Sequence, residues 1–220
     1  MRKKAIILLS GGLDSLCALD IAKKTYDIPL ALNFNYNQKA FIEENKAASE
    51  IAAYYNVNFE TIELTFLAKI LDNALVNYND NNLDNFSSVW VPNRNGLFIN
   101  IAACYCDKYD IDYIIFGANK EEAQSFVDNS KSFIKYADIF FNYSTQIHCN
   151  VIAPCIEMDK KDMVDYAIDN NLPLKLIKSC YNSSLLTNKK HCGECLSCKL
   201  LYNAIKNSKK PGLIEEIFNE

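Results

Sequence analysis

Apolar residues along this chain switch repeatedly between two periods. Residues 5–9 (Ala-Ile-Ile-Leu-Leu) form an unbroken apolar run that stops at Ser10-Gly11-Gly12. Such a run predicts a strand buried on both faces of a parallel sheet. From 14 to 24, Leu16, Leu19, Ile21 and Ala22 recur at roughly helical spacing, so a helix follows directly. Residues 28–34 read as a second strand. Residues 40–55 read as a long helix with Ile42, Ala47, Ile51 and Tyr54 along one side, and 57–64 alternate as a third strand. This strand–helix–strand–helix–strand order predicts a parallel sheet with helices on both faces.

Residues 65–90 interrupt the pattern. They are polar and asparagine-rich between 77 and 85, which predicts a long excursion or lid between core elements. Periodicity returns with a helix over 96–108, a strand over 113–116 ending at Gly117, a helix over 131–143 and a fifth strand over 149–153. A helix over 159–170, N-capped by Asp159, and a closing helix over 196–207 complete the chain. No internal repeat and no Pro-, Gly- or Ser-rich linker divides it. The expected architecture is an α/β domain over 1–175, a doubly wound parallel sheet, followed by a cysteine-bearing segment over 176–220.

Composition narrows the function classes. A chain of 220 residues buries a substantial core without disulfide staples. The formal net charge of -4 argues against a broad nucleic-acid footprint, which needs a basic face. Lys189, Lys190, Lys199, Lys206, Lys209 and Lys210 do crowd the C-terminal region, either as the solvated side of a surface helix or as a small basic patch. Met1-Arg2-Lys3-Lys4 followed by an apolar run resembles the start of a signal peptide, but five apolar residues are too few for its hydrophobic core. No apolar stretch approaches the about 18 residues that span a bilayer. The expectation is a cytoplasmic protein with no membrane partner.

Nine cysteines are many for a reducing compartment, where clustered thiols more often bind metal than pair as disulfides. Four of them cluster: Cys192-x2-Cys195-x2-Cys198, with Cys180 a short loop upstream. Four thiolates make a closed structural zinc site, and Gly193 relieves crowding in its tight loop. The spacing also resembles an iron–sulfur run, although the C-x3-C-P continuation is missing. His191 is a possible substitute ligand. Cys17, Cys104, Cys106, Cys149 and Cys155 read as small buried hydrophobes.

Ser10-Gly11-Gly12-Leu13-Asp14-Ser15 sits between a buried strand and a helix. A helix N-terminus offers unpaired N–H groups and the positive end of a dipole, which suits an anion. Gly11 and Gly12 permit close backbone approach, and the Ser10 and Ser15 hydroxyls add donors. Asp14 cannot bind phosphate directly, which leaves helix capping or magnesium organisation as its roles. Neither a GxxxxGK[ST] nor a GxGxxG pattern is present, so the Walker loop and the dinucleotide fingerprint are both excluded.

The SGGLDS string resembles the pyrophosphate loop of the ATP-pyrophosphatases, the PP-loop enzymes, which adenylate a carboxylate, amide or carbonyl oxygen and release pyrophosphate. Together with Ser179-Cys180-Tyr181 and CxxCxxC, it resembles the 7-cyano-7-deazaguanine synthase (QueC) family in particular. Phe34-Asn35-Tyr36-Asn37-Gln38 resembles that family's D-Y-G-Q segment, with Asn37 where glycine is usual. Val91-Pro92-Asn93-Arg94-Asn95 matches its V-P-x-R-N, Gly117-Ala118-Asn119 its G-A-N, and Asp159-Lys160-Lys161-Asp162 stands at its T-K-x-E. Val127-Asp128-Asn129-Ser130 stands at its P-D-C-R or P-D-N-S, and Asn119-Lys120-Glu121-Glu122-Ala123 resembles one branch of the family.

The resemblance implies a Rossmann-like sheet of the adenine nucleotide alpha hydrolase type. It also implies conversion of 7-carboxy-7-deazaguanine and ammonia to 7-cyano-7-deazaguanine, at the expense of ATP with magnesium, in queuosine and archaeosine precursor synthesis. Structural zinc on the four cysteines and a homodimer are implied as well. Carried onto this chain, Leu9, Ser10, Gly11, Gly12, Leu13, Asp14 and Ser15 hold the nucleotide phosphates. Arg94 and Lys160, with Asp14, are the catalytic candidates; for each of the two cations a surface position is the plainer alternative. Asp128 is the candidate for the guanine-like N–H edge, with helix capping as its alternative. Tyr36, Gln38, Asn119 and Glu122 are further substrate candidates, and Tyr36 reads equally as a core or rim aromatic. Two rival readings are a tRNA-thiolating PP-loop enzyme, which needs a reactive thiol or cluster and an RNA-binding face, and a non-catalytic zinc-ribbon interaction module.

Overall fold

The computed structural model describes residues 2–182 and 191–218. Five strands, β1 (Lys4–Leu8), β2 (Asp27–Asn35), β3 (Asn58–Glu63), β4 (Tyr113–Ile115) and β5 (Asn150–Ile152), form one sheet in the order β3-β2-β1-β4-β5. Every pairing is parallel. The apolar run of β1 is central: Ile6 lies opposite Leu30 on β2 and Ile114 on β4, and both Ile6 and Ile114 are wholly buried. That position explains why the run carries no polar alternation.

The strand order moves outward from β1 to β3 and then returns past β1 to β4. Right-handed crossovers place the connecting helices on opposite faces for the two directions. Accordingly α1 (Leu13–Lys23) and α2 (Phe41–Tyr54) belong to one face, where α1 packs on α6 (Lys160–Asp169) and α6 on α7 (Leu196–Lys206). The other face carries α3 (Arg94–Tyr109) against β1 and β4, and α5 (Lys131–Ser144) against β5. The reversal between β1 and β4 opens a crevice at the carboxyl ends of the strands.

The 65–90 segment is not a lid. Ala74, Leu75, Val76, Leu83 and Val89 are buried in the core, and the Leu196 N–H donates to the Leu83 carbonyl at 2.8 Å. The segment is a packed wall: Asn73 is buried and donates to the Trp90 carbonyl at 3.1 Å, while the other asparagines lie at or near the surface, such as Asn85, which bonds Asn82. Two short helices, α4 (Glu122–Ser125) and α8 (Leu213–Phe218), are additional to the predicted elements; each is under two turns, too short for a period to emerge. Of the five cysteines expected inside, Cys104 is exposed instead, on the outer side of α3. Lys189 and Lys190 lie outside the described residues, whereas Lys199, Lys209 and Lys210 form surface ion pairs with Asp84, Asp169 and Glu216.

Candidate active site

The crevice begins at the turn between β1 and α1. Gly11 has φ +86, and a Cβ there would stand 2.6 Å from the Glu44 carbonyl oxygen, so the loop's approach to α2 requires glycine. Gly12 is the N-cap of α1 and no side chain caps this helix, which leaves its positive end facing the crevice. Asp14 is therefore not a cap, because it lies inside the first turn. The Ser10 hydroxyl accepts the Gly12 N–H at 3.3 Å, and the Ser15 hydroxyl donates to the Gly12 carbonyl at 3.0 Å. Gly117 follows β4, and a Cβ on it would stand 2.8 Å from the Ser15 nitrogen. The end of β4 is thus pressed against the start of α1.

A buried charge cluster lies beside this turn. The capping box of α6, Asp159 with Asp162, starts that helix at Lys160. From there the Lys160 ammonium donates to both Asp14 carboxylate oxygens, at 2.6 and 2.7 Å, and to Glu122 Oε1 at 3.1 Å. Asn119 donates to Asp14 Oδ2 at 2.6 Å and accepts the Glu122 N–H at 2.9 Å. Burial works against the Lys160 ammonium, but Asp14 and then Glu122 outweigh it, so its pKa stands above the ordinary lysine value. Burial pushes the Asp14 carboxyl up, with Lys160 the main force against the rise. One cation between two carboxylates leaves Asp14 a partner of Lys160 rather than an open metal ligand.

The facing wall comes from the end of β2 and the start of α3. Asn37 has φ 66, the left-handed region that asparagine tolerates, which explains how it replaces a glycine. Arg94 is the first residue of α3 and donates to the Tyr36 hydroxyl at 3.3 Å. The Tyr36 ring is buried and tilted against Phe98 at 6.0 Å, so it forms wall as much as platform. The Gln38 amide is spent on its own turn, accepting the Tyr36 N–H and donating to the Phe34 carbonyl and to Glu44. Asp128 accepts the Asn95 N–H at 3.2 Å and thereby braces the start of α3.

Of the residues named from the sequence, Leu9, Ser10, Gly12, Leu13, Asp14, Ser15, Tyr36, Gln38, Arg94, Glu122 and Lys160 all line this one cavity. Gly11, Asn119 and Asp128 stand behind its wall. Lys39, Glu44, Lys178, Ser179 and Tyr181 line it as well and were not singled out for roles. Lys39 is buried and donates to the Asp80 carbonyl at 2.6 Å; burial lowers its pKa. Burial raises the Glu44 carboxyl, opposed by Gln38 and Arg94. The only signal for Lys39 and Glu44 was their place just beyond a strand's carboxyl end.

The sulfur atoms of Cys180, Cys192, Cys195 and Cys198 all lie within 4.8 Å of one another. A tetrahedral zinc–thiolate site, with Zn–S of about 2.3 Å, sets sulfurs about 3.8 Å apart, and Cys192 and Cys198 are separated by 3.8 Å. The Cys195 and Glu194 N–H groups point at the Cys192 sulfur, at 3.3 and 3.4 Å, which favours the thiolate. Cys195 is the N-cap of α7, whose dipole acts in the same sense. The donor set therefore fits a thiophilic tetrahedral ion. His191 is not in the set: its Nε2 accepts the Ser179 N–H at 3.2 Å and its Nδ1 faces the Ile217 carbonyl at 3.0 Å. This strut ties α8 to Ser179, and Cys180 follows Ser179 directly, so the metal-ligand segment and the cavity wall are one piece.

A family model described as queuosine biosynthesis protein QueC matches residues 4–209. A 7-cyano-7-deazaguanine synthase of Methanosarcina barkeri (strain Fusaro) is 36% identical over 223 residues, covering 93% of this chain and 94% of the relative. One from Carboxydothermus hydrogenoformans is 39% identical over 214 residues, covering 92% of this chain and 98% of the relative. Among solved structures, the U34-tRNA thiolase NcsA from Methanococcus maripaludis aligns with a TM-score of 0.51 at 15% identity, over 78% of this chain and 57% of the thiolase. That likeness is one of fold.

Proposed function

The chain belongs to the QueC family, and from that premise we propose that it is an ATP-dependent ligase making 7-cyano-7-deazaguanine from 7-carboxy-7-deazaguanine and ammonia. The observation that carries the reading is a single cavity joining the uncapped N-terminus of α1, Lys160 and Arg94 at the sheet's switch point. The helix terminus and Arg94 supply positive potential where phosphate charge must be held, and Lys160 adds an ammonium donor shared with Asp14 and Glu122.

In the proposed sequence the substrate carboxylate attacks the α-phosphorus of ATP and pyrophosphate leaves. Ammonia attacks the acyl carbon, AMP departs, and a proton is lost to give the amide. The amide oxygen then attacks a second ATP, pyrophosphate leaves, and expulsion of AMP with loss of protons gives the nitrile. Two ATP are consumed per product. AMP turns a poor leaving oxygen into a good one, so the protein's task is positioning and charge stabilisation.

Leu9, Ser10, Gly11, Gly12, Leu13 and Ser15 cradle the phosphates through backbone N–H groups and hydroxyls, and magnesium enters with the nucleotide. Lys160 and Arg94 face the phosphate and carboxylate oxygens that change charge, and Asp14 orients Lys160. Tyr36 and Glu122 contact the deazaguanine. Gln38, Asn119 and Asp128 act through the backbone and side chains they hold in place. Zinc on the four cysteines supplies rigidity rather than chemistry, since all four positions are filled by protein thiolates.

The test is release of AMP and pyrophosphate from ATP. It should depend on added 7-carboxy-7-deazaguanine; release at an unchanged rate without it would sink the reading.

A further inference from the structure

Among the described residues three acidic side chains line the cavity: Asp14, Glu44 and Glu122. Asp14 and Glu122 share the Lys160 ammonium, so their charge is already countered. Glu44, in the first turn of α2, is different. It forms no ion pair with any described residue. The neutral Gln38 amide donates to its Oε2 at 3.1 Å, and Oε1 is left to the cavity. Gln38 cannot turn away, because its own carbonyl accepts the Tyr36 N–H and its amide also donates to the Phe34 carbonyl. Burial is the largest influence on the Glu44 carboxyl and favours its protonated form; Gln38 and Arg94 oppose the rise. Arg94 and Tyr36 are the ionisable groups that face it. A carboxylate in a recess with no cation of its own holds a proton more readily than an ion-paired one.

In the reaction proposed above, on which this inference rests, ammonia that attacks the acyl adenylate brings a surplus proton into the amide. We propose that Glu44 is the catalytic base that receives it. Ammonia binds with one N–H donated to Glu44 Oε1, and its lone pair attacks the acyl carbon. The C–O bond to AMP breaks and AMP leaves with the electron pair. The surplus proton on nitrogen passes to Glu44, which later returns it to solvent. Placement supports the assignment. The Tyr36 hydroxyl accepts Arg94 at 3.3 Å while the Tyr36 N–H is held by Gln38, so one turn positions both the Glu44 carboxylate and the guanidinium that faces the acyl oxygens. The open oxygen supports it too. Reading a guanine-like edge sets both carboxylate oxygens against two parallel N–H donors. With Oε2 engaged by Gln38, Glu44 is suited to a smaller donor, and ammonia is the smallest amine.

Hydroxylamine separates this step from adenylation, because it is nucleophilic enough to capture an acyl adenylate without a base. With ATP, magnesium and 7-carboxy-7-deazaguanine, Glu44→Gln should make amide from ammonium about 10²–10⁴-fold more slowly than wild type, the span of general base catalysis. It should still make the hydroxamate from hydroxylamine at close to the wild-type rate. Loss of both products in a variant with wild-type circular dichroism would overturn the assignment and make Glu44 a holder of the nucleotide or the deazaguanine. Amide formation at the wild-type rate would overturn it as well. A second measurement needs no variant. At constant concentrations of the free amines, wild-type amide formation should fall between about pH 8 and pH 5, as the base takes up its proton, while hydroxamate formation holds steady. Parallel profiles for the two amines would contradict a base specific to ammonia. Failure of the underlying reaction looks different: wild-type protein would then give no hydroxamate at all, and the role of Glu44 would fall with it.

Discussion

Lys160→Met is expected to lower ATP turnover by about 10²–10³-fold, the effect of removing one preorganised donor from developing charge. It should also cost about 3–5 kcal/mol of stability, because it strips the cation from a buried cluster and leaves Asp14 and Glu122 unpaired. The pH dependence follows from the same geometry. In the wild type the raised Lys160 pKa supplies stability that is complete below the ordinary lysine value of 10.5 and fades only as pH climbs through the folded value. In the variant, burial acts on the Asp14 carboxyl without its main counterweight. A carboxyl whose folded pKa is raised stabilises below its unfolded value of 3.8 and loses that contribution as pH rises through the folded one. The stability gap between variant and wild type should therefore widen from pH 5 to pH 8 in urea titrations. An equal gap at both pH values would mean that the cluster is not held by charge.

Cys198→Ser is expected to have the second large effect, on folding rather than chemistry. The four sulfurs converge from Cys180 and from the turn that starts α7, and α7 packs on α6, the helix that presents Lys160. Structural zinc is worth on the order of 10 kcal/mol of apparent folding free energy in small sites. A hydroxyl in place of one thiolate removes much of that. Elemental analysis should find one zinc per wild-type chain and little in the variant. Calorimetry should find the variant's Tm lower by about 10 °C or more, on a scale of roughly 2–4 °C per kcal/mol for a chain of this size. Full zinc content with an unchanged Tm would show that the cluster is not a four-thiolate site.

The elements read from the sequence with most success are those whose pattern has one physical cause. The β1 run is apolar because both its faces are covered, and its Gly-Gly ending is forced by the approach to α2 at Gly11. Asp159, read as an N-cap, announced α6 in the same way, and Asp162 completes the capping box in the structure. The 65–90 wall was illegible because Ala74, Leu75, Leu83 and Val89 follow no period; they are buried by what packs over them, amid asparagines that favour turns. The site divides along the same line. Residue types named the anion loop and the thiolate cluster, since their chemistry is local. Which backbone N–H meets Asp128, or whether Gln38 faces a ligand or its own turn, is decided by tertiary placement. Lys39 and Glu44 belong to no motif read here, and only the fold brings them to the cavity.

Mass spectrometry of the product tests the central claim most directly. Purified, zinc-replete protein would be incubated with 7-carboxy-7-deazaguanine, ammonium, magnesium and ATP. The account predicts 7-cyano-7-deazaguanine, with two AMP formed for each nitrile. Accumulation of the amide alone, or AMP without any change in the deazaguanine, would contradict it.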